Sequence, residues 1–421
     1  MKAIHLYDKL IRKGGVWMKR IIFHVDVNNA FLSWTAVYLL NHGYPKDIRT
    51  IPSIIGGDEE ARKGVVLAKS PVAKKYGIVT AETLYSARKK CPMVKTFPAN
   101  YAWYKEESKK LMKYLSQYTP VLEQFSIDEC FLDMSGMERI YGNDYVSLAH
   151  KIKDEIKNKF GFTVNIGIGE NKLCAKMASD FEKPDKVHTL FMSEIKEKMW
   201  PLPVDDLFML GKKSASKLHS FGIHTIGDLA QASSNLLTRH FKSQGLYFQE
   251  ASRGIDTTPV MPRSSKNKCI SVSRTLPYDF TKREELERVL FQEVEEVSFQ
   301  LRKQKLYTKT IAITYRNNLF QNYSHQLTLL NPTNSTKEIY KQVLLLFDCS
   351  YREDPIRNIG VRLSDFSDHA EEQLSLFDTG EKRVDDPVEK VMDSLKEKFG
   401  ENSIMRASSK EEKNVVKKNN S

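Results

Sequence analysis

The sequence predicts an α+β protein with several domains, and three observations favour this class. Short apolar stretches at 21–27, 125–134 and 163–169 are typical of buried strands, and helical patterns lie between them. Residues 189–257 carry helical patterns alone, whereas residues 269–366 alternate between strand and helix patterns. The 421 residues correspond to roughly two to four domains of ordinary size.

The individual elements follow from the spacing of apolar residues and from the residues that interrupt it. Up to about residue 188 we expect a sheet with helices on one face, formed in order by strand 21–27, helix 28–40, a hairpin across 49–70, helix 101–118, strand 125–134, helix 143–160, strand 163–169 and helix 171–181. In the last region the pattern predicts helices 282–304 and 335–348, with strands 269–275, 308–316, 324–330 and 358–366.

The two ends of the chain differ from the middle. The first 19 residues are polar and Met18 precedes the first strand, so we expect residues 1–19 to be a leader outside the fold. From residue 367 onward the chain is polar and charged, which predicts a flexible tail.

Composition narrows the classes of function. The chain has 65 Lys and Arg residues against 53 Asp and Glu residues, and this net charge of +12 favours a polyanionic partner such as nucleic acid. No stretch reaches the ~18 apolar residues that a membrane span needs. The five cysteines are dispersed, without metal-binding or redox spacing, which is typical of a cytoplasmic protein.

Three acidic residues are candidates for a metal site. Asp26 ends the first strand, and Asp128 and Glu129 lie in the second. Oxygen ligands suit Mg²⁺ or Mn²⁺, and two such ions can support phosphoryl transfer. Adjacent strand residues point to opposite faces, so Asp128 and Glu129 share a site only at a strand end or a turn. From the acids alone, unrelated surface and strand carboxylates are the favoured interpretation.

Four short motifs in a fixed order resemble the Y-family translesion DNA polymerases, most closely the bacterial UmuC and DinB branches. They are D-V-N-N-A-F at 26–31, S-I-D-E at 126–129, G-I-G-E-N-K-L-C-A-K at 167–176 and K-P-D at 183–185. The resemblance extends over about residues 20–365. It implies template-directed DNA polymerisation, in which a primer 3′-hydroxyl attacks a dNTP, with a role in translesion synthesis, DNA repair and the SOS response.

The resemblance also implies a right-hand architecture with an additional C-terminal domain. The expected parts are a palm at 20–30 and 97–188, fingers at 31–96, a helical thumb with a helix–hairpin–helix at 189–258, a linker at 259–268, a little finger at 269–366 and a tail at 367–421.

By the same resemblance, the acids and their neighbours acquire roles. Asp26, Asp128, Glu129 and the Val27 carbonyl would ligate two Mg²⁺ ions, with Mn²⁺ as a possible substitute. Phe31 would be the steric gate that excludes ribonucleotides, although a core phenylalanine would explain it as well. The triphosphate would be bound by Lys69, Lys74 and Lys183. Pro71 departs from the family pattern, because many relatives have a tyrosine there.

Residues that would hold DNA lie in the later regions. The thumb motif resembles a helix–hairpin–helix with Gly211, Lys212, Lys213 and Gly222, in which backbone N–H groups approach a phosphate. A plain pair of antiparallel helices is the alternative. In the little finger, the expected DNA contacts are Arg274, Arg316 and Arg362. In the tail, the bacterial sliding-clamp peptide pattern Q-L-x-L-F is matched by Gln373, Leu374, Leu376 and Phe377.

Two other functions are compatible with parts of the sequence. Residues 56–59 spell the G-G-D-E signature of diguanylate cyclases, although Glu60 follows instead of an aromatic residue. A catalytically weak accessory subunit that binds DNA and the clamp is the second alternative, and Pro71 is the feature that favours it.

Overall fold

The computed structural model describes residues 20–59, 62, 64–262, 267–369, 387–400, 403, 404 and 406. The expected leader at 1–19 and the clamp peptide at 373–377 lie outside these ranges. The chain forms two compact units, Met1–Gly57 with Val65–Ser264, and Asp58–Gly64 with Ser265–Ser421. Within the described ranges, every helix is too short or too polar to cross a bilayer.

The first unit contains two sheets and two groups of helices. Its strands are β1 (Ile22–Val27), β2 (Ser53–Gly56), β3 (Val66–Lys69), β4 (Lys95–Pro98), β5 (Leu122–Gln124), β6 (Glu129–Asp133), β7 (Val164–Gly169) and β8 (Val187–Leu190). Its helices are α1 (Ala30–Asn41), α2 (Pro71–Lys75), α3 (Leu84–Lys90), α4 (Tyr101–Leu115), α5 (Glu138–Tyr141), α6 (Tyr145–Phe160), α7 (Lys172–Asp180), α8 (Lys212–His219), α9 (Ile226–Gln231), α10 (Ser234–Phe241) and α11 (Ser243–Ser252).

The larger sheet has the strand order β5-β6-β1-β7-β8, with β1 antiparallel to both of its neighbours. Alternate residues of β1 enter different cores. Phe23 and Val25 pack in the core that includes α4 and α6, whereas Ile22 packs with Ala175 of α7. Helices therefore cover both faces of this sheet, and the expectation of helices on one face is wrong. The physical reason is that β1 is buried at both alternations, with Phe23 and Val25 on one face and Ile22 and His24 on the other, so each face needs a cover.

The smaller sheet has the order β3-β2-β4, and β2 pairs antiparallel with β3 as the expected hairpin does. Helices α2 and α3 carry buried Ala73 and Leu84 into the core beneath it. Helices α8 to α11 pack around a separate apolar cluster that includes Leu218, Ile226 and Phe248. The predicted elements of this unit are thus present, with most ends within a few residues of the expected positions.

The second unit is a four-stranded antiparallel sheet with the order β11-β10-β12-β9, packed against helices on one face. Its elements are β9 (Cys269–Phe280), α12 (Arg283–Lys303), β10 (Tyr307–Asn317), β11 (Asn322–Thr333), α13 (Thr336–Ser350), β12 (Ile356–Ser367) and α14 (Pro387–Phe399). The two helices and four strands expected between 269 and 366 are all present, and each strand is longer than its apolar pattern.

Helix α14 corrects the expectation of a flexible tail for residues 387–399. Glu389 and Met392 are buried against the unit, and the Arg302 guanidinium bonds both carboxylate oxygens of Asp393, at 2.6 and 3.0 Å. Glu389 also accepts a hydrogen bond from the backbone N–H of Thr336, at the start of α13. Polar composition concealed this helix because charged residues, rather than a wide apolar face, hold it in place.

One carboxyl group in the second unit is deeply buried. Glu293, on the inner face of α12, is completely buried, and its carboxyl group approaches the Arg274 backbone without a hydrogen bond of ordinary geometry. Burial raises the pKa of Glu293 to about 9, although the nearby Arg274 charge opposes the rise. Glu293 therefore stays protonated in the folded protein at neutral pH.

This burial makes stability depend on pH in a definite direction. Between the usual pKa of 4.5 and the folded value of about 9, the unfolded chain releases the Glu293 proton and the folded chain keeps it. The free energy of unfolding should then fall as pH rises through this window, by about 1.4 kcal/mol per pH unit from this group. We expect Glu293→Gln, which cannot ionise, to remove that component in urea unfolding measured from pH 5 to 9. Glu284→Gln, an exposed change on the same helix, should leave it intact, and equal slopes in both variants would contradict the assignment.

Candidate active site

Two of the predicted acids face each other across a strand pair. In the antiparallel register of β1 and β6, Asp26 lies directly opposite Glu129, so their side chains share one face. His24, two residues before Asp26 on β1, lies on the same face. Ligand atoms of these three side chains all lie within 4.8 Å of one another.

Asp128 approaches the site from the bend that precedes β6. The strand begins only at Glu129, and the Asp128 carbonyl accepts a hydrogen bond from the Val27 N–H at 3.0 Å. The Ser126 hydroxyl donates to Asp128 Oδ1 at 2.6 Å and fixes the carboxyl group. Burial raises the pKa of Asp128, and the Asp26 and Glu129 charges add to the rise despite the Ser126 hydrogen bond. Asp128 and Glu129 thus lie where β6 begins. At the start of a strand, two adjacent side chains can share one site.

Two lysines neutralise the carboxylates. Lys176 of α7 donates to Asp26 Oδ2 at 3.1 Å and to Glu129 Oε2 at 2.8 Å. Lys183 donates to the same Asp26 oxygen at 3.0 Å and pairs with Asp180 at 2.8 Å. Burial alone would lower the pKa of each lysine, but Asp26 and the other acids outweigh it and raise both. The lysines differ in access, since 11% of the Lys176 side chain is exposed against 36% for Lys183.

His24 connects the acids to α7 and was not among the predicted residues. Ser179 Oγ lies 2.8 Å from His24 Nδ1, and the Ser179 hydroxyl also donates to the Lys176 carbonyl at 2.7 Å. The other ring nitrogen, Nε2, lies 3.2 Å from Glu129 Oε2. Burial would raise the pKa of Glu129, but the contacts with His24 and Lys176 lower it to about 2. The sequence indicates this position, because His24 lies two residues before Asp26 and therefore on the same face of the predicted strand.

Two glycines of β7 allow α7 to bring Lys176 and Ser179 to the sheet. A Cβ on Gly167 would lie 2.0 Å from the Ala175 carbonyl oxygen, and a Cβ on Gly169 would lie 2.6 Å from the Ala175 nitrogen. No side chain fits either position. The glycines of the G-I-G motif are therefore required for the close approach of this helix.

The aromatic residue after Asp26 lies between the core and the surface. Phe31, in the first turn of α1, is half-buried and stacks on Tyr104 with ring centroids 4.8 Å apart. Asn29, in the left-handed region at φ 50°, donates from its side chain to the Lys69 carbonyl at 2.7 Å. This bond ties the start of α1 to the end of β3.

The remaining predicted nucleotide-binding residues lie near that connection. The Lys69 ammonium donates to Thr80 at 3.1 Å, and burial, followed by repulsion from Lys74, lowers its pKa. Pro71 is the first residue of α2, after the capping Ser70. There it needs no N–H donor, so its departure from the family pattern is compatible with the local helix. The structure thus brings Lys183 to the carboxylates and keeps Lys69 beside Lys74.

The G-G-D-E residues do not accompany the acidic cluster. Gly56 is the last residue of β2 in the three-stranded sheet, whereas Asp26 and Glu129 lie on the five-stranded sheet. For a cyclase, Asp58 and Glu59 of this signature would have to form a metal-binding group of carboxylates beside the three-stranded sheet. Nothing in the described part of the chain gathers such a group there.

The predicted DNA-contacting residues occupy different surroundings. Gly211 precedes α8, Lys212 and Lys213 are exposed in its first turn, and Gly222 has a φ of +76°. Arg316 and Arg362 are exposed on the face of the second sheet that the helices leave uncovered. Their chain neighbours Tyr315, Val361 and Leu363 point into the core on the opposite face.

Arg274 differs from the other two arginines. It pairs in register with the buried Ile359, so it lies on the helix-covered face, and its guanidinium bonds Gln292 at 3.1 Å and Glu296 at 3.2 Å. Strand alternation therefore separates Arg274 from Arg316 and Arg362, and its contact with DNA stays a prediction.

Comparisons with known proteins agree on one family. The model of the impB/mucB/samB family matches residues 25–180, its C-terminal domain model matches 267–376, and the IMS family HHH motif matches 193–223. DNA polymerase IV of Clostridium acetobutylicum is 46% identical over 390 residues, covering 93% of this chain and 98% of that protein. DNA polymerase IV of Clostridium kluyveri is 36% identical, with 93% and 98% covered.

A solved structure has the same fold. The Y-family DNA polymerase chimera Dbh-Dpo4(243-245)-Dbh matches with a TM-score of 0.72 at 23% identity, covering 82% of this chain and 98% of that chain. The expected right-hand polymerase fold with a little-finger domain is thereby confirmed.

The dependence of the site on the glycines can be measured. We expect Gly167→Ala to lower the free energy of unfolding by about 1–3 kcal/mol, because the added methyl group forces α7 away from β7. Urea unfolding at neutral pH gives the value. Gly211→Ala is the matched control, since a Cβ there has no heavy atom within 4 Å and its φ is −79°. A stability loss that is no larger for Gly167→Ala than for Gly211→Ala would disprove the close-packing explanation.

Proposed function

Because the chain belongs to the impB/mucB/samB family and is a Y-family DNA polymerase of the DinB type, we propose that it extends a primer 3′-hydroxyl with dNTPs by two-metal-ion catalysis during translesion synthesis. The observation that carries this proposal is the opposition of Asp26 and Glu129 across β1 and β6, with Asp128 beside them. Carboxylates gathered at the ends of two neighbouring strands are the donors that hard divalent cations prefer.

Four groups would hold the ions. Asp26, Asp128, Glu129 and the Val27 carbonyl would hold two Mg²⁺ ions. The close approach of the Asp26 and Glu129 oxygens, and their neutralisation by lysines rather than by hydrogen-bonding neutral groups, fit a cation site. When bound, the ions lower the pKa of the primer hydroxyl and neutralise charge on the triphosphate.

The chain's own residues orient these ligands. Ser126 fixes the rotamer of Asp128, and His24 with Lys176 holds Glu129 in its ionised form. The pKa of about 2 for Glu129 means that no proton has to leave it at neutral pH before a cation binds. Lys183, the more exposed of the two lysines, can turn from Asp26 towards a triphosphate, whereas the buried Lys176 remains with the acids.

Phe31 is proposed as the group that selects deoxyribose. Phe31 lies five residues after Asp26 in the chain, and its stack on Tyr104 limits the rotation of its ring. Since the ring is only half-buried, part of it remains available to meet a sugar. A rigid ring there clashes with a 2′-hydroxyl and leaves a 2′-hydrogen room.

DNA binding and clamp binding extend the proposal to other parts of the chain. Positive charge for sequence-independent phosphate contacts would come from Lys212, Lys213 and the exposed Arg316 and Arg362. The hairpin glycines would let backbone N–H groups approach a phosphate. Docking on a bacterial sliding clamp is supported by the sequence pattern at 373–377, which lies outside the described residues. Tethering would raise the concentration of the polymerase at a primer end.

Primer extension tests the reaction. We expect Asp128→Asn to reduce dNTP incorporation in Mg²⁺ by at least about 100-fold, since it removes a charged ligand, and to leave primer-template affinity unchanged. Gel-based extension and fluorescence anisotropy provide the two measurements. Asp154→Asn, the same chemical change at an exposed position of α6, is the control. Extension by Asp128→Asn at the control rate would refute two-metal catalysis here. Extension by the unsubstituted protein separates a polymerase from an accessory subunit.

Sugar selection tests the role of Phe31. We expect Phe31→Ala to raise the ratio of rNTP to dNTP incorporation by at least about tenfold, because the clash with the 2′-hydroxyl is lost. Single-nucleotide incorporation kinetics with matched rNTP and dNTP pairs provide the measurement. If Phe31 acted only in the core through its stack on Tyr104, both rates would fall together and the ratio would not change. The unfolding midpoint of the variant, recorded alongside, measures the contribution of the stack itself.

A further inference from the structure

A pair of histidines lies in the hairpin between α8 and α9, away from the acidic cluster. His219 is the last residue of α8, and His224 follows the turn. Their Nδ1 atoms are 3.0 Å apart, and the other ring nitrogen of His219, Nε2, lies 2.6 Å from Asp205 Oδ2. Both side chains reach solvent, because His224 is exposed and 35% of the His219 side chain is exposed. None of the functions proposed above uses these three residues.

The backbone holds the two histidines at this separation. The turn is closed by hydrogen bonds from the Gly222 N–H to the His219 carbonyl, at 3.0 Å, and from the Ile223 N–H to the Leu218 carbonyl, at 3.2 Å. Beyond the turn, the His224 carbonyl accepts from the Val204 N–H at 2.8 Å. Asp205 follows Val204 directly in a short 3₁₀ turn, Val204–Asp206. The same segment therefore positions the carboxylate and one of the imidazoles.

Hydrogen-bond chemistry defines what each ring offers. The Asp205 carboxylate can only accept, so His219 donates its Nε2–H to it, and the neutral ring then has a lone pair at Nδ1. That lone pair faces His224 Nδ1, and one proton lies between the two nitrogens. A metal ion that replaces this proton would have two imidazole ligands. His219 would then resemble a metal-bound histidine whose second nitrogen is oriented by a carboxylate.

We propose that His219 and His224 form a two-histidine site for a divalent transition-metal ion, with Asp205 orienting His219. Metal–nitrogen bonds of ~2.0–2.1 Å put two neighbouring ligands ~2.9–3.4 Å apart, and the Nδ1 atoms are separated by 3.0 Å. Imidazole ligands suit Zn²⁺, Cu²⁺ and Ni²⁺, in contrast to the oxygen ligands of the acidic cluster. Solvent completes the coordination, because both rings are accessible.

The site links two helices that otherwise meet only through the turn and the apolar core. A metal bound to His219 and His224 fixes the end of α8 to the residue that precedes the cap of α9. Because binding occurs only in the folded chain, it stabilises the fold by mass action. The proposal is independent of polymerase activity, so it can be tested without DNA or nucleotide.

Nickel binding to the full chain tests the site directly. Isothermal titration with Ni²⁺ is performed in saturating Mg²⁺, so that the carboxylate cluster is already filled. We expect His219→Ala and His224→Ala each to lose one bound Ni²⁺ per chain relative to the unsubstituted protein. Asp205→Asn should keep the stoichiometry and weaken binding about 10–100-fold. His325→Ala, an exposed histidine on β11, is the matched control and should bind as the unsubstituted protein does.

Thermal unfolding with and without Ni²⁺ gives a second measurement. The midpoint should rise with Ni²⁺ in the unsubstituted protein and in His325→Ala, and the part of the rise due to this site should be lost in both hairpin variants. Because His224 is exposed and His219 is partly exposed, the metal-free midpoints should change less than the Ni²⁺-dependent rise does. Unchanged Ni²⁺ stoichiometry in His219→Ala or His224→Ala would overturn the proposal, as would binding by Asp205→Asn with undiminished affinity.

Discussion

The opposition of Asp26 and Glu129 across two antiparallel strands is the constraint on which the site depends. Like charges directly opposite each other on one face of a sheet destabilise it. The pairing persists because Lys176 lies within 3.1 Å of both carboxylates and because His24 adds a second contact to Glu129. The surrounding fold places the Lys176 ammonium and the His24 imidazole beside the two carboxylates.

Lys176 reaches the carboxylates only because α7 lies unusually close to β7. Gly167 and Gly169 remove the side chains that would separate α7 from β7, and Ser179 then reaches His24. The same face of β1 carries Ile22, which packs on Ala175 of that helix. Hydrophobic packing and charge compensation thus come from one helix, so the fold of this region and its electrostatics cannot be separated.

The sequence predicted the elements well where a single periodicity dominates. Strand β1 and helix α6 lie within about two residues of their expected positions, and the motif order was sufficient to identify the family. Prediction failed where the determinant is a contact between distant residues. Helix α14 is held by Arg302, which lies 91 positions before its partner Asp393, and composition cannot reveal such a pair.

Two further residues show the same limit within the sites themselves. Arg274 was grouped with Arg316 and Arg362, but strand register assigns it to the helix-covered face. Lys176 lies within a motif that identified the family, and yet its contact with Asp26, 150 positions away, follows only from the packing of α7. Periodicity gives the face of an element, whereas the partner on that face depends on the fold as a whole.

The compensated acids show how a metal site can be compatible with folding before any ion binds. Lys176 contacts both Asp26 and Glu129, and the Asp26 and Glu129 charges, together with burial, raise the pKa of Asp128. Lys183 shares the Asp26 oxygen but is exposed enough to leave, and Lys176 is not. At the proposed metal site, Lys183 would therefore be the ammonium group that leaves first when a divalent cation binds. Replacing both lysines by neutral residues would leave the Asp26 and Glu129 carboxyl groups opposed on adjacent strands without a neighbouring cation, at a cost to the sheet that the present arrangement avoids.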